Sequence, residues 1–382
     1  MPPSIAIIGA GPAGSSAAFH LARAGFDTTV IEARPFPRLK VCGEFISPAA
    51  TSLLEAILPP DRLLAAGARR TDRFVLQSGN RERTLAMPSP AWALSRRSLD
   101  DLMLAAARDA GATVLQPAPV ASVDHDAPGG PAIHLADARV IHADLVLHAD
   151  GHARFCPTPP TPSAPRLIAH KCHFIPPTPI RAVTIRAAAG AYIGTIDVEP
   201  DEQHQRLATI ALCASRRLLQ RHRGDIDAMV RALWPDWNPD ARTTDWLSCG
   251  VARSRFQTTG HPRAFRLGNA AAAVDPVGGE GIGLAIWSGT TLARLLIESL
   301  AATPTSPSPQ SLNSIHRRYA ARYRSRLRLR RPACFLAAES LMRPALIRVL
   351  WPLLGIQALT IAPWYAATGK PLRPRAHPSP TA

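Results

Sequence analysis

Apolar positions open the chain in a strand–helix–strand rhythm. Ile5, Ile7 and Ile8 make a short apolar run of the kind buried in a parallel sheet. Alanine-rich residues from Pro12 follow at helical spacing, Gly25 ends them, and a second apolar run closes on Glu32. Residues 73–94 alternate apolar and polar on either side of Ser78-Gly79-Asn80, which predicts a hairpin. The stretch from Arg96 to Gly111 has helical periodicity and a strand follows it. Strands are predicted at 120–123, 132–135 and 139–149, carrying the chain to Asp150-Gly151. Short runs at 168–175, 181–187, 191–198 and 206–214 predict an antiparallel sheet, and 215–233 reads as helix. An irregular stretch from Trp234 to Trp246 precedes a return to the first unit near 250.

Prolines punctuate this pattern. PTPPTPSAP, at 157–165, cannot be helical and predicts a stiff extended link. A proline-rich loop at 303–309 sets off a last helical region over 311–370. The predicted class is α/β, with a parallel sheet in a three-layer unit made of 1–75, 95–156 and 250–302. An inserted antiparallel-sheet unit takes 76–94 and 166–249, a helical region takes 310–370, and 371–382 is a tail.

The first turn carries recognisable chemistry. Gly9-Ala10-Gly11-Pro12-Ala13-Gly14 joins the first strand to the first helix. In such a loop Gly9 makes the tight turn, Gly11 lets the backbone approach a pyrophosphate, and Gly14 lets helix and strand pack closely. The helix N-terminus supplies free N–H groups and a positive dipole end for phosphates. Glu32, 18 residues after Gly14, can accept both hydroxyls of a ribose, with Ala33 and Arg34 beside it. Strand, loop, helix and acidic strand end together indicate a dinucleotide.

FRLGNAAAAVDPVGGEGIGLAIWSG, at 265–289, and DLVLHADG, at 144–151, narrow the choice. With the first loop, they make the chain resemble the FAD-dependent superfamily of p-hydroxybenzoate hydroxylase, geranylgeranyl reductases and flavin-dependent halogenases. The resemblance implies a Rossmann-type FAD-binding domain, FAD as cofactor and NAD(P)H as a transient electron donor. It places Asp150, Gly151, Gly268 and Asn269 on the cofactor, with Pro276, Gly279, Glu280, Gly281 and Ile282 at the flavin ring. Arg96, four residues before Asp100, matches a pattern the family places near the flavin, though a solvated helix-start charge is the alternative. The superfamily's Gly-Asp is Gly268-Asn269 here, which loses the charge-assisted part of a ribityl hydrogen bond. Its Asp-Gly is followed here by His152-Ala153-Arg154, a departure from the usual small residue and Ser.

RLKVCGEFISP, at 38–48, follows the second strand. Geranylgeranyl reductases carry a Lys-Pro-Cys-Gly-Gly run in this region, and halogenases a Gly-Glu with a nearby proline, so the loop is expected beside the isoalloxazine. Cys42 is a candidate redox or nucleophilic group, or else a small apolar residue in a packed loop. Glu44 is a candidate for a role at flavin or substrate, or a cap for a helix beginning near Ser47-Pro48.

Composition changes the picture in three ways. The formal charge is +16, but of 44 basic residues only Lys40, Lys171 and Lys370 are lysine. Arginine bias beside 38 prolines and many alanines reflects a GC-rich coding sequence, and no aromatic-interleaved basic motif predicts nucleic-acid binding. Six cysteines at 42, 156, 172, 213, 249 and 334 show no paired spacing, and Cys172-His173 with His170 fits no familiar zinc pattern, so no metal is assigned. A reduced, cytoplasmic setting is the simplest account, with no room for a leader before the first strand. The apolar block 344–364 contains Arg348 and Pro352 and predicts a buried helix pair, with peripheral membrane contact as the alternative.

The leading functional expectation is a single-component monooxygenase hydroxylating an aromatic, polyketide or lipid-like molecule. An ene-reductase or desaturase acting on an isoprenoid or polyene is the alternative, favoured by Gly279-Glu280-Gly281-Ile282 and Cys42. Halogenation is disfavoured, because no Trp-x-Trp-x-Ile-Pro run is present. A flavoprotein without catalysis would also be compatible with Asn269. The apolar C-terminal half implies a large apolar substrate, free or carrier-bound.

Overall fold

A computed structural model describes residues 2–151, 153–156, 165–251, 256–300, 307–356 and 359–370. The predicted link at 157–165, the tail at 371–382 and most of the 303–309 loop lie outside the described residues.

The first unit is a six-stranded sheet in the order Thr259–His261, Ala264–Arg266, Leu145–His148, Ile5–Ile8, Thr28–Ile31 and Thr113–Leu115. All pairs are parallel except the edge strand Thr259–His261. Parallel strands must be covered on both faces, and side-chain alternation divides the labour. Ile5, Ile7, Val30, Leu145, Leu147 and Phe265 pack under the helices Pro12–Arg23 and Glu280–Leu300. Ala6, Ile8, Ile31 and Val146 point the other way, onto Ile133 and Leu135 of a three-stranded antiparallel sheet. This is a three-layer Rossmann-type unit. The predicted strand 139–149 is in fact two, Val140–His142 in the small sheet and Leu145–His148 in the parallel one. Between them Asp144 accepts from the N–H and hydroxyl of Ser4 at 2.9 and 3.0 Å, which turns the chain from one layer to the next.

The second sheet has eight strands in the order Leu247–Gly250, Leu167–Phe174, Ala208–Ser215, Ala191–Asp197, Val183–Ala188, Arg69–Ser78, Arg81–Ala93 and Phe45–Ile46. It is antiparallel except where Val183–Ala188 runs parallel to Arg69–Ser78. The predicted hairpin begins at Arg69. One face, with Cys172, Phe174, Ile193, Ile210 and Leu212, is covered by the helix Ile226–Leu233 and Trp237. The predicted helix 215–233 breaks into Arg216–Arg221 and Ile226–Leu233, because Arg223 and Gly224 both adopt positive φ.

The opposite face carries Leu167, Ile185, Ala187, Tyr192 and Cys213 and receives Ala338, Leu341 and Ile347 from the C-terminal region. That region begins with the helix Pro309–Leu341, about 50 Å long at 1.5 Å per residue. Helices Pro344–Leu350 and Ile361–Thr368 follow. The expectation of a buried pair over 344–364 is corrected here: Ile347 and Ile361 are buried, but Leu346, Val349, Leu353, Ile356 and Leu359 are exposed. A short helix lying on a sheet offers it one stripe only, and the remaining apolar positions face outward. Among the described residues no helix is long and apolar enough to cross a membrane.

Candidate functional site

The glycine loop opens at the C-terminal end of the strand Ile5–Ile8. Gly9 has φ +101°, and a Cβ there would stand 2.7 Å from the carbonyl oxygen of Ala149. A Cβ on Gly14 would overlap the carbonyl of Gly9, and one on Gly289 would overlap that of Ala13. Glycines therefore let the helices Pro12–Arg23 and Glu280–Leu300 press against the loop and each other. Gly11 differs: a Cβ there would meet only the Arg96 guanidinium, at 3.9 Å. The helix after it starts with Pro12, which lacks an N–H, and has no acidic residue in its first turn and no side-chain cap. Those first-turn N–H groups and the dipole are available to an anion.

Around this loop stand the other residues singled out in the sequence. Buried Glu32 accepts from the N–H of Ala10 at 2.9 Å and of Arg34 at 3.2 Å, with Arg38 at 3.3 Å. Ala33 and the Arg34 side chain are exposed beside it. Asp150 accepts from the N–H of Arg154 at 2.9 Å, and Gly151 turns with φ +77°. Gly268 packs against Ala13 and donates its N–H to Ser288 at 2.9 Å, leaving Asn269 exposed on the turn. Pro276 is exposed and Gly281 has open space where a Cβ would be. Gly279 has φ +63° and lies directly on the Phe45 ring, so the 276–282 turn and the 38–48 loop touch. Ile282 is buried among Ile46, Trp92 and Leu99.

Three charged clusters lock these loops. In the first, Arg96 pairs with Asp100 at 2.7 Å through both Nε and Nη2, and Lys40 joins Asp100 at 2.6 Å. Asp100 is buried, yet the Arg96 guanidinium and the Lys40 ammonium outweigh desolvation and hold its carboxyl below the usual range. The same desolvation pushes the Lys40 amine down. Arg96 also donates to the Cys42 thiol, and Cys42 accepts from the N–H of Glu44 at 3.3 Å.

The second cluster is centred on Glu44, which has φ +56° and is fully buried. Its Oε1 accepts from Lys171 Nζ and from the N–H of Arg96, both at 2.8 Å, and its Oε2 meets His173 Nε2 at 2.7 Å. Burial works against the charge, but Lys171 and His173 overcome it and hold the carboxyl down to about 2. Glu44 does cap a helix, though a different one from that expected: the bond from Arg96 closes the first turn of Arg96–Asp109, while the helix Thr51–Glu55 has no side-chain cap.

In the third, Glu280 opens the helix Glu280–Leu300 with its side chain turned toward the C-terminal region. There it meets Arg330 Nε at 3.0 Å and Lys370 Nζ, and Lys370 also donates to Thr368 at 3.0 Å. Burial depresses Lys370, and Glu280 opposes that effect only in part.

The sequence did not single out Lys171, His173, Arg330 or Lys370 as site residues. One signal was present: period-two alternation puts Lys171 and His173 on the same face of a predicted strand. Nothing local announced Arg330 and Lys370, which lie 50 and 90 residues from their partner. His170 and Cys172, weighed with His173 as a metal site, alternate onto the other face, and no metal-holding group of three occurs among the described residues.

A cavity of about 300 Å³ lies between the inward face of the second sheet, the turn before Pro276 and the long C-terminal helix. Leu167, Val251, Ala273, Val274 and Phe335 line it, with Asp275 and Arg331. Tyr192, on the same sheet face, donates to Asp275 at 2.7 Å. A Cβ on Gly43 would touch Ala211, so the Cys42 loop lies on this sheet too, and Cys249 on the edge strand is within electrostatic reach of Cys42.

Comparison with known proteins agrees with this geometry. The FAD binding domain family matches residues 3–158. A menaquinone reductase of Mycobacterium tuberculosis (strain H37Rv) is 29% identical over 327 residues, covering 76% of each chain. One from Mycolicibacterium smegmatis is 33% identical over 154 residues, covering 38% of this chain and 37% of its own length. Among solved structures, a geranylgeranyl bacteriochlorophyll reductase-like protein from Thermoplasma acidophilum superposes with a TM-score of 0.76 at 19% identity, over 96% of both chains. A probable FAD-dependent monooxygenase from Pseudomonas aeruginosa gives 0.73 at 18%, over 92% of this chain and 99% of that one. Residues 3–158 thus belong to the FAD binding domain family, and the fold of the chain is the one it shares with these solved structures over more than nine-tenths of its length.

Proposed function

We propose that this protein is an FAD-dependent reductase that adds hydrogen across a carbon–carbon double bond of an isoprenoid or similarly apolar molecule. The observation that carries this reading is the cavity beside the 276–282 turn, whose lining is mostly apolar. The relatives called menaquinone reductase, matched over 76% of this chain, support it. The residues present fit FAD: Gly11 leaves open the approach a pyrophosphate needs, Glu32 is buried at the strand end where a ribose would reach it, and Gly281 leaves space at a helix start. In this reading Gly9 to Gly14 and Arg96 face the pyrophosphate, Asp150 and Asn269 the ribityl chain, and Pro276 to Ile282 the ring. Bound and in its reduced form, the flavin would supply the hydride for one carbon of the double bond while a proton reaches the other, and NAD(P)H would be the two-electron donor that reduces it again. The chain orients the substrate between sheet and helix and excludes water there. Cys42 is the candidate group at the substrate, and Glu44 positions its loop.

The test is direct. FAD-loaded protein, reduced without oxygen, is mixed with a polyprenyl quinone and the recovered lipid is weighed by mass spectrometry. After the ring has been reoxidised to the quinone in air, a gain of two hydrogen atoms retained in the polyprenyl chain is expected. Monooxygenation is the second reading, favoured by the fold shared with the Pseudomonas protein; there the product would gain one oxygen atom in air. If FAD stays bound and neither donor nor lipid changes, the chain is a flavoprotein without turnover and both readings fall.

A further inference from the structure

Eleven large apolar side chains stand exposed among the described residues, and eight of them fall between Leu329 and Leu359. Leu346 and Val349 lie one turn apart on the helix Pro344–Leu350, and Leu353 and Ile356 stand exposed in the short turn that directly follows it. Val349 is 76% exposed and Leu336 62%. Scattered single exposures need no explanation, but a concentrated apolar side of this kind marks a surface that another apolar phase covers. The charges around it favour one such phase. Residues 309–350 contain ten arginines against the single acid Glu339; Arg330 is buried on Glu280, Arg318 pairs with Glu298 and Arg343 with Glu339, while Arg328 and Arg348 stand exposed among the apolar positions. Apolar side chains fringed by arginine are the pattern of a segment lying in the headgroup layer of an anionic bilayer. No described helix is both long and apolar enough to cross the bilayer, so the segment lies on it. Phe335 belongs both to this exposed side and to the lining of the cavity, and Arg331 lines the cavity as well.

We propose that the segment from Leu329 to Leu359 docks this protein onto an anionic lipid surface, with the cavity opening at that surface. The docking does not depend on which reaction the site performs. A second copy of the chain would cover the apolar side equally, but two such faces would bring their arginines together, whereas a bilayer of acidic headgroups neutralises them. A nucleic acid would engage the arginines and leave the apolar positions unused.

FAD-loaded full-length protein is sedimented with vesicles of phosphatidylcholine alone or mixed with phosphatidylglycerol. Binding to the mixed vesicles is expected, weakened by salt, with little binding to phosphatidylcholine alone. The double variant Val349→Ser/Leu353→Ser keeps the charge and is expected to lower partitioning about tenfold, with FAD content and melting temperature unchanged. Leu64→Ser, at an exposed site elsewhere, is expected to bind as the parent does. Failure of the parent to bind, or unaltered binding by the double variant, overturns the proposal. So does a dimer, measured by sedimentation equilibrium without vesicles, that the same double variant dissociates.

Discussion

Glu44 and Glu280 are both buried, and each is gripped through both oxygens by two nitrogen-bearing side chains. Their partners differ in origin. Lys171 and His173 come from alternate positions of one strand that is paired on both sides in a sheet, so the 38–48 loop is tied to a rigid surface. Arg330 and Lys370 come from two places in the C-terminal region, so the start of the helix Glu280–Leu300 is tied to parts of the chain far from it in sequence. The charge balance differs as well. Glu280 faces an ammonium and a permanent guanidinium at a helix N-terminus, where the dipole adds to the positive side. An anionic group bound at that helix start would find favourable surroundings. The Glu44 cluster has an imidazole in place of the guanidinium, and its carboxylate also caps the helix Arg96–Asp109, so it serves to hold. Burial alone does not say what a carboxylate does; the elements supplying its partners do.

Breaking the first cluster is expected to cost most. Glu44→Ala leaves Lys171 buried without a counter-charge, and about 3–5 kcal/mol of stability is expected to be lost. Adding Lys171→Met removes the stranded charge and should recover much of it; denaturant unfolding of the single and double variants measures this. No recovery would mean that Glu44 matters through the Arg96 cap alone.

Acid is the next way to separate the clusters. The Glu44 carboxyl is lowered from its ordinary 4.5 to about 2. Its contribution is therefore complete above pH 4.5 and lost as pH falls toward 2, roughly 3 kcal/mol in all. Melting temperature against pH over this window should fall more steeply for the parent than for Glu44→Gln. Parallel curves would show that the paired carboxylate is not what acid attacks.

Lys370→Met should do less. Glu280 keeps Arg330 at 3.0 Å, so one charged hydrogen bond is lost and no charge is stranded, about 1–3 kcal/mol. The same variant removes positive charge near the helix start, and a weaker hold on FAD is expected beside the stability loss. Titrating FAD into the apoprotein reads the first, thermal melting the second. Equal FAD affinity would confine the third cluster to structure.

The smallest effect is expected from exchanging one cation for another. Each of the three lysines in this arginine-rich chain sits on a buried carboxylate: Lys40 on Asp100, Lys171 on Glu44, Lys370 on Glu280. An ammonium is compact and gives three donors from one atom, and it fits where a planar guanidinium needs more room. Lys40 is partly exposed, so Lys40→Arg should change stability by less than about 1 kcal/mol. Lys171→Arg, in a fully buried position, should cost more. Thermal melts of both variants test the ordering, and equal losses would sink the argument from size.

Local pattern reached far in the first unit. The tight turn at Gly9 and the close packing at Gly14 were readable from spacing, since sterics at a strand–helix turn act over a few residues. The strands of the second sheet were legible for the same reason, through alternation. Pattern misjudged 344–364, because hydropathy tells how apolar a segment is but not how much neighbouring surface exists to cover it. Glu44 stood out as a charge in an otherwise small and apolar loop, yet its local reading as a cap for the next helix pointed to the wrong helix.

By itself, then, the sequence determined the three-layer unit, the inserted sheet and the cofactor class, because these follow from turn chemistry and side-chain period within short windows. Only tertiary structure decided that Lys171 and His173 meet Glu44, that Lys370 returns to Glu280, and that the cavity lies between the second sheet and the long C-terminal helix. Those ion pairs join residues 90 to 129 positions apart. Their energy comes from desolvated charge, which has no signature until the chain has closed around it.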